Sequence, residues 1–354
     1  MTAELLIRPR SLRFRMALST GAGVRTGVEG FWLRFGDGLG EVTLLPGFGT
    51  EPLEKAAAVL GEVASALRGV GPPGSPDEVS TRLDRVQSLF GCPAARAGVE
   101  LALLDAGSKH AGVPLASWLG SALRPVRVNA FLTDDESDAL ASEARARAQE
   151  TYDTLKIKVG AQPGAADASR IAAVRAAVGP NVRIRVDGNG AWSEVEARAR
   201  LQALAPHRIE YCEQPVAAGD FAALRRLRSV ARIAADESVG MPGARQEIFG
   251  GSRPAVDVLV FKLPVVGGLL RAKAFAAEAW QLGVEVAVTS ALDGAVSRAG
   301  AAHLACTLPV EGPAHGLATG HLLEADPAGY AASHGVLHIP DAPGLGIEPE
   351  VLGW

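Results

Sequence analysis

The sequence has little that would tie it to a membrane, a nucleic acid or an oxidising compartment. Its three cysteines, Cys92, Cys212 and Cys306, are odd in number and far apart, which excludes a disulfide framework and a cysteine metal site. It has no run of about 18 uncharged apolar residues of the kind a membrane span needs. The opening MTAELLIRPRSLRF has no apolar stretch of signal-peptide length, so a soluble cytoplasmic protein is expected. No basic tract stands out against a net charge of -4, which argues against a nucleic-acid surface. G-x-G-x-x-G is missing too, and with it the phosphate-binding turn of a doubly wound dinucleotide fold.

What is present is a repeat. The chain has 354 residues, 48% of them hydrophobic, enough for one large domain and a smaller one. After about residue 125, short apolar runs alternate with Ala-, Leu- and Arg-rich helical stretches. The runs are VRVNAFL (126–132), TLKIKVG (154–160), VRIRVDGNG (182–190), RIEYCEQP (208–215), RIAADES (232–238), VDVLVFKLP (256–264), VEVAVTS (284–290) and HGLATG (315–320). Ser193 is placed to cap the helix that starts at Glu194. Parallel strands need crossover helices, and eight strands close a βα barrel.

Polar residues recur at the carboxyl ends of these runs: Lys158, Asp187, Glu213, Asp236, Lys262 and Ser290. Successive gaps of 29, 26, 23, 26 and 28 residues each equal about one βα unit. In a barrel these ends meet at one mouth, where active sites lie. Asp187, Glu213 and Asp236 would repel one another there. A divalent cation resolves the repulsion, and an all-oxygen set suits Mg²⁺, for which Mn²⁺ can stand in. The alternative is a salt-bridge cluster of these acids with Arg185 and the lysines. Alternation puts Lys156 on the face of Lys158, and Arg183, Arg185 and Asn189 on that of Asp187.

Lys158 and Lys262 would flank the acids from opposite sides. The arrangement suits removal of a proton α to a carboxylate, with a cation stabilising the enediolate. A lysine base must be neutral, so its pKa must fall from about 10.4 toward 7–8. Lys156 supplies a neighbouring charge that pushes in that direction and can help bind the substrate carboxylate.

K-I-K (156–158), D-G-N (187–189), E-Q-P (213–215), A-D-E-S (235–238) and F-K (261–262), in this order, resemble the enolase superfamily and its muconate-lactonizing subgroup. The resemblance implies a (β/α)7β TIM-like barrel with an α+β amino-terminal capping domain. Residues 1–121 would form the cap, joined by the segment 325–354, and 122–324 the barrel. It implies Lys158 as acid–base, Lys262 and Lys156 as further catalytic lysines, and Asp187, Glu213 and Asp236 as Mg²⁺ ligands. Asn189, Ser290 and Gly316 would touch a small-molecule carboxylate substrate. No membrane or nucleic-acid partner is expected, and an oligomer is compatible with the sequence.

Within the superfamily, GEVTLLPGFGTEPLE (40–54) and PAARAGVELALLDAGSKHAGVPLASWLG (93–120) are similar to the o-succinylbenzoate synthase family of menaquinone biosynthesis. This implies syn-dehydration of 2-succinyl-6-hydroxy-2,4-cyclohexadiene-1-carboxylate. N-acylamino-acid racemase, dipeptide epimerase and muconate cycloisomerase are the alternatives. Dipeptide epimerases usually carry Asp-x-Asp after strand eight, where this chain has GLATGHL. A non-catalytic barrel is disfavoured because the lysines and acids are all present.

Departures from the family pattern are Leu44 in the cap and Ala295, Ser297 and Arg298 after strand seven; the latter three bear on how the distal part of the substrate is held. In the cap, 5–18 and 30–45 read as strands and 51–68 and 93–111 as helices, with Ser19–Gly23 as a loop over the mouth. The tail from about 325 is expected to return to the cap. Cys212 should face away from Glu213 and pack; Glu237 should face away from Asp236, toward the helices, with a supporting contact behind the ligands as its alternative; His315 reads as structural or surface.

Overall fold

The computed structural model describes residues 4–20, 23–328 and 330–354. It opens with an antiparallel sheet of β1 (Leu5–Thr20), β2 (Gly23–Phe35) and β3 (Gly38–Thr43). The stretch 30–45 is therefore two strands: Gly36 takes φ 59°, and the chain folds back so that Phe35 pairs with Gly38. Of the loop expected at 19–23, Ser19, Thr20 and Gly23 belong to β1 and β2, while Gly21 and Ala22 lie outside the described residues.

Helices α1 (Leu53–Ala66), α2 (Pro76–Asp84), α3 (Pro93–His110) and α4 (Leu115–Trp118) follow. α2 escapes a pattern reading because only Val79 and Leu83 on it are buried. It starts instead from chemistry, with the Ser75 hydroxyl accepting from the Glu78 amide and Pro76 in the first turn. α3 is buried on nearly every face, which explains its lack of amphipathic pattern. It reaches β3 closely because glycines face it. A methyl on Gly40 would sit 2.1 Å from the Gly98 carbonyl oxygen.

The second half alternates as expected: β4 (Val126–Arg127), β5 (Ala130–Leu132), α5 (Ser137–Gln149), β6 (Thr154–Lys158), α6 (Gly164–Val178), β7 (Arg183–Asp187), α7 (Glu194–Leu204), β8 (Ile209–Glu213) and α8 (Phe221–Leu227). Then come β9 (Ile233–Ala235), α9 (Ala244–Phe249), β10 (Val258–Phe261), α10 (Leu263–Val266), α11 (Leu269–Gln281), β11 (Glu285–Val288) and α12 (Ala295–Cys306). Ser193 caps α7 as expected, in a reciprocal capping box with Glu196. Strands β5 to β11 form one parallel seven-stranded sheet in chain order. The eighth strand expected at 315–320 is reduced to two bridging residues. His315 pairs with Val128 and Gly316 with Thr289, which curls the sheet into a (β/α)7β barrel beside the α+β cap. Among the described residues no helix is long and apolar enough to cross a membrane.

The tail adds β12 (Val336–Leu337), antiparallel to β4, and then packs on the cap. There Asp105 of α3 accepts from the amides of Leu39 (2.8 Å) and Leu345 (2.6 Å), tying β3, α3 and the tail to one carboxylate.

His315 at the closure is buried, and its Nδ1 accepts the Val288 amide at 3.0 Å. Burial first, then Arg185, Arg124 and Arg127, lower its pKa from 6.5 to about 3. The unfolded chain therefore takes up this proton at a higher pH than the folded one. Its contribution to stability is complete above pH 6.5 and is lost as pH falls toward 3. We expect an unfolding free energy that drops by roughly 1.4 kcal/mol per pH unit more between pH 6 and 4.5 than in His315→Asn, whose amide oxygen can still accept from Val288. Denaturant titrations across that range check this; parallel slopes would mean that His315 protonates freely in the fold.

Candidate active site

The barrel register brings the polar strand ends side by side: Lys158 is opposite Asp187, and Asp187 opposite Glu213. Asp236 follows β9 directly and Lys262 follows β10. Lys156, Lys158, Asp187, Asn189, Asp236 and Lys262 line one cavity at the carboxyl end of the barrel, and Ser290 and Gly316 line it too. Glu213 lies beneath, buried, and touches the cavity's Lys156.

The charges are compensated in a definite way. Lys156 Nζ is 2.9 Å from Asp187 Oδ2 and 2.6 Å from Glu213 Oε1. Burial would lower its pKa, but Asp187, Glu213 and Asp236 outweigh burial and raise it well above the ordinary value, so Lys156 is a fixed cation. Lys262 is ion-paired to Asp236 and lies 5.3 Å from the centre of the Phe48 ring. Burial is again outweighed, here by Asp236, Glu237 and Glu213, and its pKa rises. Lys158 moves the other way. Burial is the main cause and Lys156 and Lys262 add to it, against Asp187. Lys158 Nζ donates to Asn189 Oδ1 at 2.8 Å. Lys156 thus depresses its neighbour as expected, but burial is the larger cause.

Arg185 takes no part in this cluster. It points into the barrel interior, pairs with Glu210, donates to the Ala314 carbonyl at 2.6 Å and stacks on Tyr211. The salt-bridge alternative is thus realised with the lysines and not with Arg185.

Among the described residues no group of three or more His, Cys, Asp and Glu side chains encloses a metal position. The donor chemistry nonetheless fits a hard divalent cation: Asp187, Glu213 and Asp236 offer only carboxylate oxygens. Burial, reinforced by Asp187 and Asp236 against Lys156, pushes Glu213 up to about 8. Such a carboxyl is under-compensated by the lysines alone.

A model of the enolase C-terminal domain-like family matches residues 139–351. The chain belongs to the enolase superfamily. This superfamily enzyme is 32% identical over 328 residues to muconate cycloisomerase 1-1 of Acinetobacter lwoffii, covering 88% of this chain and 83% of that one. It is 40% identical to the o-succinylbenzoate synthase of Thermobifida fusca over 185 residues, 52% of this chain and 57% of the synthase. The crystal structure of a dipeptide epimerase from Enterococcus faecalis V583, complexed with Mg and L-Leu-L-Tyr, superposes with a TM-score of 0.88 at 26% identity. It covers 98% of this chain and 100% of the epimerase.

Several placements differ from the sequence reading of this superfamily member. Glu237 does not face the helices; its Oε1 accepts from Asn189 Nδ2 at 3.1 Å. Alternation fails because β9 ends at Ala235 and Glu237 opens a 3-10 turn, Glu237–Gly240. Ala295, Ser297 and Arg298 are buried, and none lines the cavity. The Ser297 amide donates to Glu41 of the cap, and Arg298 pairs with Asp326 and donates to the Tyr330 carbonyl at 3.2 Å. These departures therefore act on the contact between barrel, cap and tail, and leave the substrate's surroundings alone.

Gln214 of E-Q-P carries no signal of its role in the sequence. Its Oε1 accepts from the amides of Asp236 (3.1 Å) and Ser238 (3.2 Å), fixing the end of β9 against that of β8. The apolar part of the cavity lining was also missed, the cluster of Leu18, Leu45, Phe48, Phe131 and Leu292, and with it the cap's Arg25. Only the meeting of cap strands with barrel loops assembles it, so no local pattern announces it. Ser290 Oγ and Thr319 Oγ1, 2.7 Å apart, complete the polar side.

Proposed function

We propose that this enzyme is a divalent-metal-dependent carbon–oxygen lyase that dehydrates 2-succinyl-6-hydroxy-2,4-cyclohexadiene-1-carboxylate to o-succinylbenzoate, a step of menaquinone biosynthesis. The observation that carries the reading is the mixed lining of the cavity. Asp187 and Asp236 share it with three lysines, with one apolar cluster (Leu18, Leu45, Phe48, Phe131 and Leu292) and with a cation from the cap, Arg25. A substrate with two carboxylates separated by an apolar ring suits this combination. A dipeptide ammonium would want an acid at the strand-eight side, where Gly316 and Thr319 stand.

Asp187, Glu213 and Asp236 would hold the cation, which supplies Lewis-acid stabilisation of the substrate carboxylate. Lys158, held low by burial, takes the α-proton and returns it to the hydroxyl that leaves as water on the same face. One C–H and one C–O bond break, and the ring becomes aromatic. Lys262, kept protonated by Asp236 and Glu237 in spite of burial, stays an ammonium beside the developing enediolate.

Racemisation of an N-succinyl amino acid is the second reading, favoured by the presence of a lysine on each side of the acids. It needs Lys262 to exchange a proton. Lys262→Arg keeps the charge but cannot deprotonate at working pH, and its planar fork is larger. We expect this variant to retain dehydration, reduced about 10-fold or more by misfit, and to lose racemisation. Loss of the diene chromophore and solvent-deuterium exchange of each enantiomer are followed in parallel, with muconate as a third substrate. Dehydration abolished in a folded, metal-loaded variant would make Lys262 a proton carrier. Faster turnover of muconate or of an N-succinyl amino acid in the parent would reassign the substrate.

A further inference from the structure

We infer that Glu237 is a positioning residue for the proton-transferring amine, acting through Asn189. This rests on Lys158 being the base and names a part of the site that neither the strand-end pattern nor the ligand set includes. Lys158 Nζ donates to Asn189 Oδ1 (2.8 Å), and Asn189 Nδ2 donates to Glu237 Oε1 (3.1 Å). An amide suits this place because its two ends differ. As an ammonium Lys158 has only protons to give, as a neutral base it must keep its lone pair for the substrate, and the carboxylate has only lone pairs. Turned over, the amide would set N–H against N–H at one end and oxygen against oxygen at the other. Glu237 therefore fixes which end of Asn189 meets Lys158.

Two further restraints hold Asn189 in place. Its φ of 44° puts it in the left-handed region, which asparagine tolerates better than most residues. Its amide donates to Asp187 Oδ1 at 3.0 Å. With backbone and amide both pinned, the side chain has one freedom left, rotation about its own bonds, and the Glu237 contact removes it. Glu237 in turn has little choice of position. It opens the short turn after β9, and Gln214 holds the amides on either side of it, those of Asp236 and Ser238. Gly47 and Phe48 of the cap border the small recess that Glu237 and Asn189 share. Both side chains are half-buried there, so their hydrogen bond is partly shielded from water and costs more to break than one on the open surface.

The test compares Glu237→Gln, Glu237→Ala, Asn189→Ala and the double alanine variant, all loaded with Mg²⁺, with Lys158→Ala as reference. Glutamine keeps an oxygen for Asn189 and leaves Lys262 its ion pair with Asp236, the larger of the charges that hold it protonated, so kcat should fall by no more than about 3-fold. Glu237→Ala should lower kcat by about 30- to 100-fold with KM and Mg²⁺ affinity within about 2-fold, the signature of a misplaced base. Asn189→Ala should lower kcat by as much, with any rise in KM reporting its place in the cavity lining, and the double variant's kcat should be no more than about 2-fold below that of either.

A second measurement needs no substrate. In protein labelled with ¹⁵N-asparagine, the Asn189 side-chain signals are those missing from Asn189→Ala. Their hydrogen exchange should speed up by about 10-fold or more in Glu237→Ala and change little in Glu237→Gln. Full kcat in Glu237→Ala, additive losses in the double variant, weakened Mg²⁺ binding in place of the kcat loss, or unchanged Asn189 signals would each overturn the proposal. Parental activity in Lys158→Ala would instead overturn the base assignment, and the exchange measurement would still decide whether Glu237 holds Asn189.

Discussion

Lys158→Ala is expected to lower turnover of any carbon acid the enzyme accepts by roughly 10³- to 10⁴-fold, the upper range for loss of a positioned general base. The size follows from the lack of a substitute. Lys156, on the same strand face, has its ammonium bound by Asp187 and Glu213. Lys262 approaches from the far side and is paired to Asp236. Neither can turn to the position Lys158 leaves without breaking a buried ion pair. Because burial, with Lys156 and Lys262, depresses Lys158, the parent's rate should rise with pH at values below those of an ordinary lysine, and this limb should vanish in the variant. Small primary amines such as methylamine should restore part of the rate by filling the space left. Exchange of the α-proton in deuterated solvent at the parental rate would show that Lys158 is not the base.

Glu213→Gln should weaken Mg²⁺ binding by about 100-fold or more and lower turnover at least as much at fixed metal, with the fold retained. Glu213 is the middle acid of three on consecutive strands, so its removal leaves Asp187 and Asp236 without a bridge between them. The replacement is nearly isosteric, and Lys156 keeps its 2.9 Å contact with Asp187, which spares the buried lysine from losing all its compensation. Titration calorimetry with Mg²⁺, and activity against free metal in a chelator buffer, read the two effects separately. Unaltered affinity, or full parental activity in excess chelator, would place the metal elsewhere or remove it from the reaction.

The strand ends were readable because a barrel converts sequence spacing into proximity. Lys158, Asp187 and Glu213 lie in register across three strands, as one βα unit per polar residue requires. What escaped lies where that conversion stops. Alternation misplaced Glu237 because the strand had ended two residues earlier. Arg298 looked like a change in the substrate pocket, but it follows α12 into a buried contact with the tail's Asp326. Arg25 gave no signal because a cap strand carries it to a barrel mouth more than 100 residues ahead in the chain. The eighth strand was overdrawn because HGLATG has the composition of a strand end, whereas only His315 and Gly316 find partners.

That sparse closure has an evolutionary side. The residues that would handle the proton and the metal ride on β6 to β10, where a continuous ladder fixes each strand against the next. Gly316 and Thr319, which line the cavity, ride on the seam, where one bridge on each side joins the last segment to its neighbours. Change at the seam disturbs few backbone hydrogen bonds, while change on the ladder disturbs many. On this plan, substitutions at the seam and in the cap can reshape the cavity while the lysines and acids carried by the ladder keep their places.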